Sequence, residues 1–349
     1  MMPRVLVMEY GMKVWELGEQ KGITSLRMVE RAEPKPGPGQ ALIAVKASAL
    51  NRRDIAITEG KYLGTRPPTR IPLSDGAGDV IAIGDGVSNV KVGARVTAAH
   101  FSPWLEGDFD PSFFGADIGS TIDGWLGEKV IVPAGCLLPV PASLSYEQAA
   151  CLSVAAVTAW SAMQPFAKIK AGDTVLALGT GGVSIFALQI AKMSGARFAI
   201  TSSQDDKLER CKKLGADILV NYKTTPEWEK EILKATGNRG VDIVLETGGQ
   251  ATLGQSLAAC APNGRVGVIG ALGGRAENPP NTAPLLLKNL TMKGITSGSW
   301  RMFQDLLKAM DATGTKPVID KTFKLTDANK AYQYMMDSEF IGKIVITHT

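Results

Sequence analysis

The 349-residue chain predicts an α/β fold in which a doubly wound parallel sheet is inserted into a β-rich domain. Three observations lead there. Short apolar strands alternate with helical stretches from Thr174 to Gly270, the pattern of consecutive βαβ units. The first of these strands runs directly into a glycine turn, Gly179-Thr-Gly-Gly182. Ahead of it lie short strands punctuated by Gly and Pro, and a last strand signal returns at Lys343–Thr347.

Glu33-Pro-Lys-Pro-Gly-Pro-Gly39 breaks the chain before an alternating strand predicted at Gln40–Ser48, and a second is predicted at Asp79–Gly84. Together they predict an antiparallel, barrel-like unit. The parallel sheet is predicted to take strands at Thr174–Leu178, Arg197–Ser202, Ile218–Asn221, Asp242–Glu246 and Arg265–Gly270. The helices expected between them are Ile185–Ser194, Asp205–Leu214, Glu227–Ala235 and Thr252–Ala261. Two more are expected near Met302–Thr313 and Asp327–Met336. A final strand so far from the N-terminal ones predicts that the tail returns to complete the first domain. The expected division is 1–154 for the N-terminal part of that domain, 155–300 for the inserted sheet and 301–349 for the return.

The glycine turn carries the chemistry. Gly179 permits a tight turn and Gly181 lets backbone approach a pyrophosphate, while the amides of Thr180, Gly181, Gly182 and Val183 at the helix start face an anion. A glycine pair after a strand also serves simply to turn a chain. The run of strands and helices that follows selects the dinucleotide reading, although the third fingerprint position is Ser184 rather than Gly or Ala.

Proteins that prefer NAD place an acid at the end of the next strand, on the ribose hydroxyls. Here the segment is Thr201-Ser-Ser-Gln204. Ser202 and Ser203 can donate to a 2′-phosphate, Lys207 can supply charge, and Tyr222 can cover the adenine or reach the same phosphate. NADP(H) is therefore the expected cofactor. The competing reading places Lys207 on the solvated helix face beside Asp205 and Asp206.

Composition narrows the classes. A net charge of +4, scattered without a basic run interleaved with aromatics, argues against nucleic acid as a partner. No stretch is apolar enough for a membrane span, and Met1–Tyr10 carries Arg4 and Glu9 in a strand-like pattern, so the expected location is cytoplasmic. Cys136, Cys151, Cys211 and Cys260 are widely spaced and have no histidine pair nearby, which predicts buried free thiols rather than disulfides or a zinc ribbon.

Further motifs stand along nearly the whole chain: Ala49-Leu-Asn-Arg-Arg-Asp54, Pro72-Leu-Ser-Asp-Gly-Ala-Gly78, Gly93-Ala-Arg-Val96, Ala155-Ala-Val-Thr-Ala-Trp160 and Lys207-Leu-Glu-Arg-Cys-Lys-Lys-Leu-Gly-Ala-Asp217. With the glycine turn they resemble the medium-chain dehydrogenase/reductases. The resemblance implies a GroES-like catalytic domain, a Rossmann cofactor domain, a cleft between them, and a dimer or tetramer. It also implies that Asn51, Ser74 and Val154 stand where many members carry the Cys, His and Cys ligands of a catalytic zinc. An amide, a hydroxyl and an isopropyl group make no such site. The cysteine lobe of a structural zinc is missing as well, since Ala98 to Asp123 contains no cysteine. No metal is expected.

Without a Lewis acid, the favoured acceptors are those already activated: quinones and α,β-unsaturated carbonyls, whose hydride adducts delocalise charge. The zinc-less branch of the family is similar to quinone oxidoreductases and enoyl reductases. The expected protein is a zinc-independent, NADPH-dependent reductase of a small hydrophobic quinone or enone. A zinc-free alcohol dehydrogenase or carbonyl reductase and a non-catalytic NADPH sensor are the alternatives.

Asn51 is the chosen polar group of the active site, its amide donating to a substrate oxygen or a water; the plain alternative is a turn-former. Tyr62 is a proton donor, a lid, or a packing aromatic. The resemblance places Thr158, Gly270 and Ser297 near the nicotinamide, and the strand-end segments Glu246–Gly249 and Ile269–Leu272 add Gly248 and Ala271 to the candidate contacts. In the segment from His100 to Gly115, Trp104, Phe109, Phe113 and Phe114 either line an apolar pocket or anchor the loop. Its acids favour a neutral substrate. Leu290–Thr296 is expected as an edge strand, and the resemblance pairs that edge across a two-fold axis in a homodimer.

Overall fold

The computed structural model describes residues 11–270, 272–274, 278–337 and 339–348. The N-terminal strand-like segment and Ala271 lie outside them.

Six parallel strands form one sheet in the spatial order Ile218–Asn221, Arg197–Ser202, Thr174–Leu178, Val241–Glu246, Cys260–Val268 and Thr291–Gly294. Numbered by sequence, that is 3-2-1-4-5-6. The direction of winding reverses between the first and fourth strands, and ligands of such sheets bind at that switch point. Every residue of Thr174–Leu178 and of Val241–Glu246 is buried, as expected for strands covered on both faces. Helix Gly182–Met193 covers one face with Ile185, Phe186, Leu188 and Ile190.

Helix starts and strand ends agree with the sequence reading to within a few residues. The exception is the fifth strand, which begins at Cys260 rather than Arg265. Pro262-Asn-Gly264 reads as a turn in sequence. The fold instead absorbs it as an irregularity in the ladder, with Asn263 at φ 62°.

The second sheet is organised around the long strand Gln40–Ala49. It pairs antiparallel with Asp75–Ile83, with Lys129–Pro133 and, at its end, with Lys343–Thr347. Strand Ile319–Lys324 adds beyond Lys343–Thr347. The segment after residue 300 first forms helix Trp300–Thr313, whose buried Phe303, Leu306, Leu307 and Met310 pack toward helix Val157–Ser161. Re-entry into the β-rich unit therefore begins at Ile319. Wide helical turns at Leu152–Ala156 and Ala162–Phe166 flank helix Val157–Ser161. Irregularity of this kind recurs at functional sites.

Candidate active site

The glycine turn joins the two sheets. Gly179 has φ 72°, which any side chain would strain, and the space where a Cβ would stand at Gly179 or Gly181 is open. Gly181 bridges to Gly342, whose amide donates to the Thr180 carbonyl at 3.0 Å. A Cβ on Gly182 would come within 3.1 Å of the Lys343 stem. The serine at the third fingerprint position has its own explanation. Its hydroxyl donates to the Leu178 carbonyl at 2.8 Å and ties the helix to the strand end.

The next two strand ends carry the residues expected to meet the adenosine half. Ser202 is buried with its Oγ accepting from the Gln204 amide at 3.3 Å, and the Tyr222 amide donates to the Ser202 carbonyl at 3.0 Å. Ser203 is half-buried, and Tyr222 is 39% exposed. Lys207 is not on a solvated face; it is 4% exposed. Burial holds its ammonium below the usual lysine range, against the carboxylates of Asp206, Asp320 and Glu339.

On the same edge of the sheet, at the end of the fourth strand, Glu246 is fully buried and fixes a turn. Its Oε1 accepts from the amides of Gly248 and Gly249 at 2.7 and 2.9 Å and from Thr252 Oγ1 at 2.6 Å, while Oε2 accepts from Ser256. Gly270 is close-packed, a Cβ there meeting the Thr247 carbonyl at 2.9 Å. The Ser297 hydroxyl is buried and has no partner. Thr158 donates to the Val154 carbonyl at 2.6 Å, a bond within its own helical run.

A residue the sequence reading passed over holds the centre. The Lys343 ammonium, 2% exposed, donates to the Leu50 carbonyl at 2.8 Å, to Asn51 Oδ1 at 2.7 Å and to Asp75 Oδ2 at 2.8 Å. All three of its N–H groups are used. Asn51 Nδ2 donates to the same Asp75 oxygen at 2.9 Å, and Asp75 Oδ1 accepts from the Val154 amide at 2.9 Å. Asn51 is therefore engaged on both sides of its amide, with one N–H left over. Its main chain also starts helix Arg52–Thr58, where the Asn51 amide donates to Asp54 Oδ2 at 2.7 Å. Burial pushes the Asp54 carboxyl up to about 7, despite the opposing charge of Arg53.

Beside this network, Arg53 pairs with Asp117 and lies over the Tyr62 ring, 4.5 Å from its centroid. Burial raises the Tyr62 phenol above its usual range, so Tyr62 keeps its proton at neutral pH. His100 is buried, and burial followed by the Arg53 charge holds it well below its usual value, hence neutral. The aromatics of the adjoining loop pack against each other. Phe109 meets Trp104 at 5.2 Å and Phe114 at 5.5 Å, with Phe101 inside the same cluster. The loop reaches the other domain through the Trp300 amide, which donates to the Trp104 carbonyl at 2.9 Å.

Comparison with known proteins now bears on this geometry. Residues 37–142 match the alcohol dehydrogenase GroES-like domain, and residues 182–312 match the zinc-binding dehydrogenase family. A zinc-type alcohol dehydrogenase-like protein of Schizosaccharomyces pombe is 39% identical over 335 residues, covering 94% of this chain and 96% of the relative. The chain belongs to the medium-chain dehydrogenase/reductase superfamily. Acryloyl-coenzyme A reductase of Metallosphaera sedula is 26% identical, covering 91% of this chain and 95% of its own. The solved structure of an NAD-dependent alcohol dehydrogenase superposes with a TM-score of 0.87 at 30% identity, covering 97% of this chain and all of the other. This medium-chain dehydrogenase/reductase is an oxidoreductase that uses a pyridine nucleotide, and the open glycine cradle and the unpartnered Ser297 hydroxyl suit such a group.

The zinc in the family's name is another matter. Asn51, Ser74 and Val154 offer no thiolate or imidazole, and both oxygens of Asp75 are already occupied by Lys343, Asn51 and Val154. Among the described residues no group of three or more His, Cys, Asp or Glu side chains is arranged to hold a metal ion. The residues present in this medium-chain dehydrogenase/reductase do not fit zinc.

The missed lysine had a sequence signal. Lys343 is the lone charge in Ile341-Gly-Lys-Ile-Val-Ile346, and a charge within an apolar strand needs a buried partner.

Proposed function

We propose that this protein is an NADPH-dependent, zinc-independent reductase that delivers hydride to a quinone or to the C=C bond of an α,β-unsaturated carbonyl compound. One observation carries the reading: a buried ammonium clamped on Asp75 and Asn51 stands among the side chains that would have to ligate a metal. An acceptor that needs no Lewis acid suits such a site.

When bound, the nicotinamide supplies the hydride. The chain's part is to hold the dinucleotide on Gly179–Val183, to orient it with Gly248, Gly270 and Ser297, and to keep the cleft dry enough that a few donors suffice. In an enone the new C–H bond forms at the β-carbon, the C=C electron pair moves onto the carbonyl oxygen, and a proton then completes the α-carbon. Tyr62, protonated at neutral pH, is one source of that proton. Ser202, Ser203 and Tyr222 support recognition of a 2′-phosphate. The acryloyl-coenzyme A reductase relative favours C=C reduction.

The test is NADPH oxidation with benzoquinone, cyclohexenone and a simple aldehyde. Turnover of the first two supports the proposal. A second reading, a zinc-free alcohol dehydrogenase, is favoured by the likeness to the NAD-dependent alcohol dehydrogenase, and turnover of the aldehyde alone selects it. NADPH binding with no turnover of any of the three selects a sensor.

We also place the protein in the cytoplasm as a homodimer. No helix among the described residues is long and apolar enough to cross a membrane. Edge strand Thr291–Gly294 is exposed throughout, and Leu286 and Leu287 beside it are 85% and 80% exposed. Light scattering at micromolar protein tests the dimer; a monomer mass would reject it.

A further inference from the structure

Two buried polar atoms that the Lys343 network does not use belong to one ion pair, Arg53 with Asp117. Arg53 leaves the same short helix that Asn51 caps, two positions after the residue that bonds both Lys343 and Asp75. Its Nη2 donates to Asp117 Oδ2; among the described residues no other hydrogen bond engages the guanidinium, and the buried Nε has no partner there. A guanidinium carries five N–H donors, so most of its capacity is unspent. The far oxygen of Asp117 is likewise buried and unpartnered.

The fold fixes this arrangement from several sides. Tyr62 supports the guanidinium plane at 4.5 Å. Asp117 is held opposite Phe101 by a bridge between the two strand-like ends of the aromatic loop, and the Ile118 amide donates to the His100 carbonyl at 2.9 Å. Behind it, Phe101 packs against Trp104, Phe109 and Phe114 of the same loop. The Arg53 side chain keeps 11% exposure, so the cation is recessed rather than sealed. His100 beside it is neutral and adds no competing charge. A buried charged donor left unpaired is costly, and native folds keep such groups where a ligand or ordered water completes them.

We infer that Arg53 is a substrate-binding residue, its guanidinium receiving the carbonyl oxygen of the enone or quinone and holding the negative charge that oxygen acquires when the β-carbon or ring accepts hydride. The inference rests on the reductase reading above. It assigns the electrostatic role to a side chain held by Asp117 and Tyr62, on the helix that begins at Asn51. Reduction still consumes one NADPH and one proton, and Arg53 gives up no proton in it.

Single removal of Arg53 would leave Asp117 buried and unpaired, so the informative variants are Arg53→Lys and the double variant Arg53→Met with Asp117→Asn. Each is compared with the parent in cyclohexenone reduction, in NADPH affinity by fluorescence, and in calorimetric binding of cyclohexanone to the NADP+ complex. The expected result for the double variant is a loss of about a hundredfold or more in kcat/KM, weaker cyclohexanone binding, and NADPH affinity within about threefold of the parent. Arg53→Lys should keep part of the activity, and added methylguanidinium should restore activity to the double variant. A double variant whose kcat/KM and cyclohexanone affinity stay within about threefold of the parent overturns the inference, as does an equal loss of NADPH binding, which would mark a structural role. A parent that reduces none of the acceptors defeats the functional reading itself, a different result from a parent that works without needing Arg53.

Discussion

Lys343 Nζ and Asp75 Oδ2 sit 2.8 Å apart with side-chain exposures of 2% and 0%, joining the C-terminal strand to the strand that begins at Asp75. Removing one partner strands a buried charge. Lys343→Met is expected to lower stability by about 3–5 kcal/mol, measured by urea unfolding, and Asp75→Asn by a similar amount. Combining them should cost clearly less than the sum, because neither charge is then left alone. Strict additivity would mean that the pair does not couple.

The glycine cradle makes a separate prediction. Because a Cβ at Gly181 meets no protein atom within 4 Å, Gly181→Val should fold with little change in Tm. The same side chain would occupy the space proposed for the pyrophosphate. NADPH affinity, read by fluorescence titration, should fall by at least about tenfold, or 1.4 kcal/mol. Unchanged affinity would move the dinucleotide elsewhere.

Ser203→Asp places a carboxylate at the end of strand Arg197–Ser202. If Ser202 and Ser203 face a 2′-phosphate, kcat/KM for NADPH should drop by about tenfold or more through like-charge repulsion, while that for NADH holds or rises. A parallel loss with both cofactors would show only misfolding of the turn.

The fold and the family were legible because periodicity and glycine spacing are local signals. The alternation of strands from Thr174 onward and the turn at Gly179 fixed the sheet, and the motif around Asn51 pointed to the cleft. The site's electrostatics were not legible, because they depend on long-range pairs. Lys343 meets Asn51 across 292 positions, and Arg53 meets Asp117 across 64. The competing reading of Lys207 as a solvated residue fails for the same reason: its helix reads as exposed, yet the side chain is buried and Asp320 and Glu339 from the distant tail act on it. The loop aromatics could line a pocket or anchor the loop in sequence, and it is their mutual ring contacts that show the anchoring.

The histidine near the C-terminus gives a pH prediction. His348 bonds to Ser48 Oγ and the Gly127 carbonyl, each at 2.9 Å, and burial lowers its pKa from 6.5 to about 4. The unfolded chain takes up a proton first, so this contribution is intact above pH 6.5 and is lost as pH falls toward about 4. The loss amounts to up to about 3 kcal/mol. His100 acts in the same direction. Asp54, raised from 3.8 to about 7, acts in the opposite one, and its stabilisation fades as pH rises through that range. Urea unfolding across this window should show a shallower acid decline in His348→Gln than in the parent. Parallel curves would contradict the assignment.

The most direct measurement of the central claim is NADPH-dependent reduction of cyclohexenone by native protein, before and after exhaustive chelation, alongside elemental analysis of the same sample. The account predicts turnover that chelation leaves unchanged, in protein containing far less than one zinc per chain. Stoichiometric zinc, with activity that disappears on chelation and returns with added zinc, would contradict it.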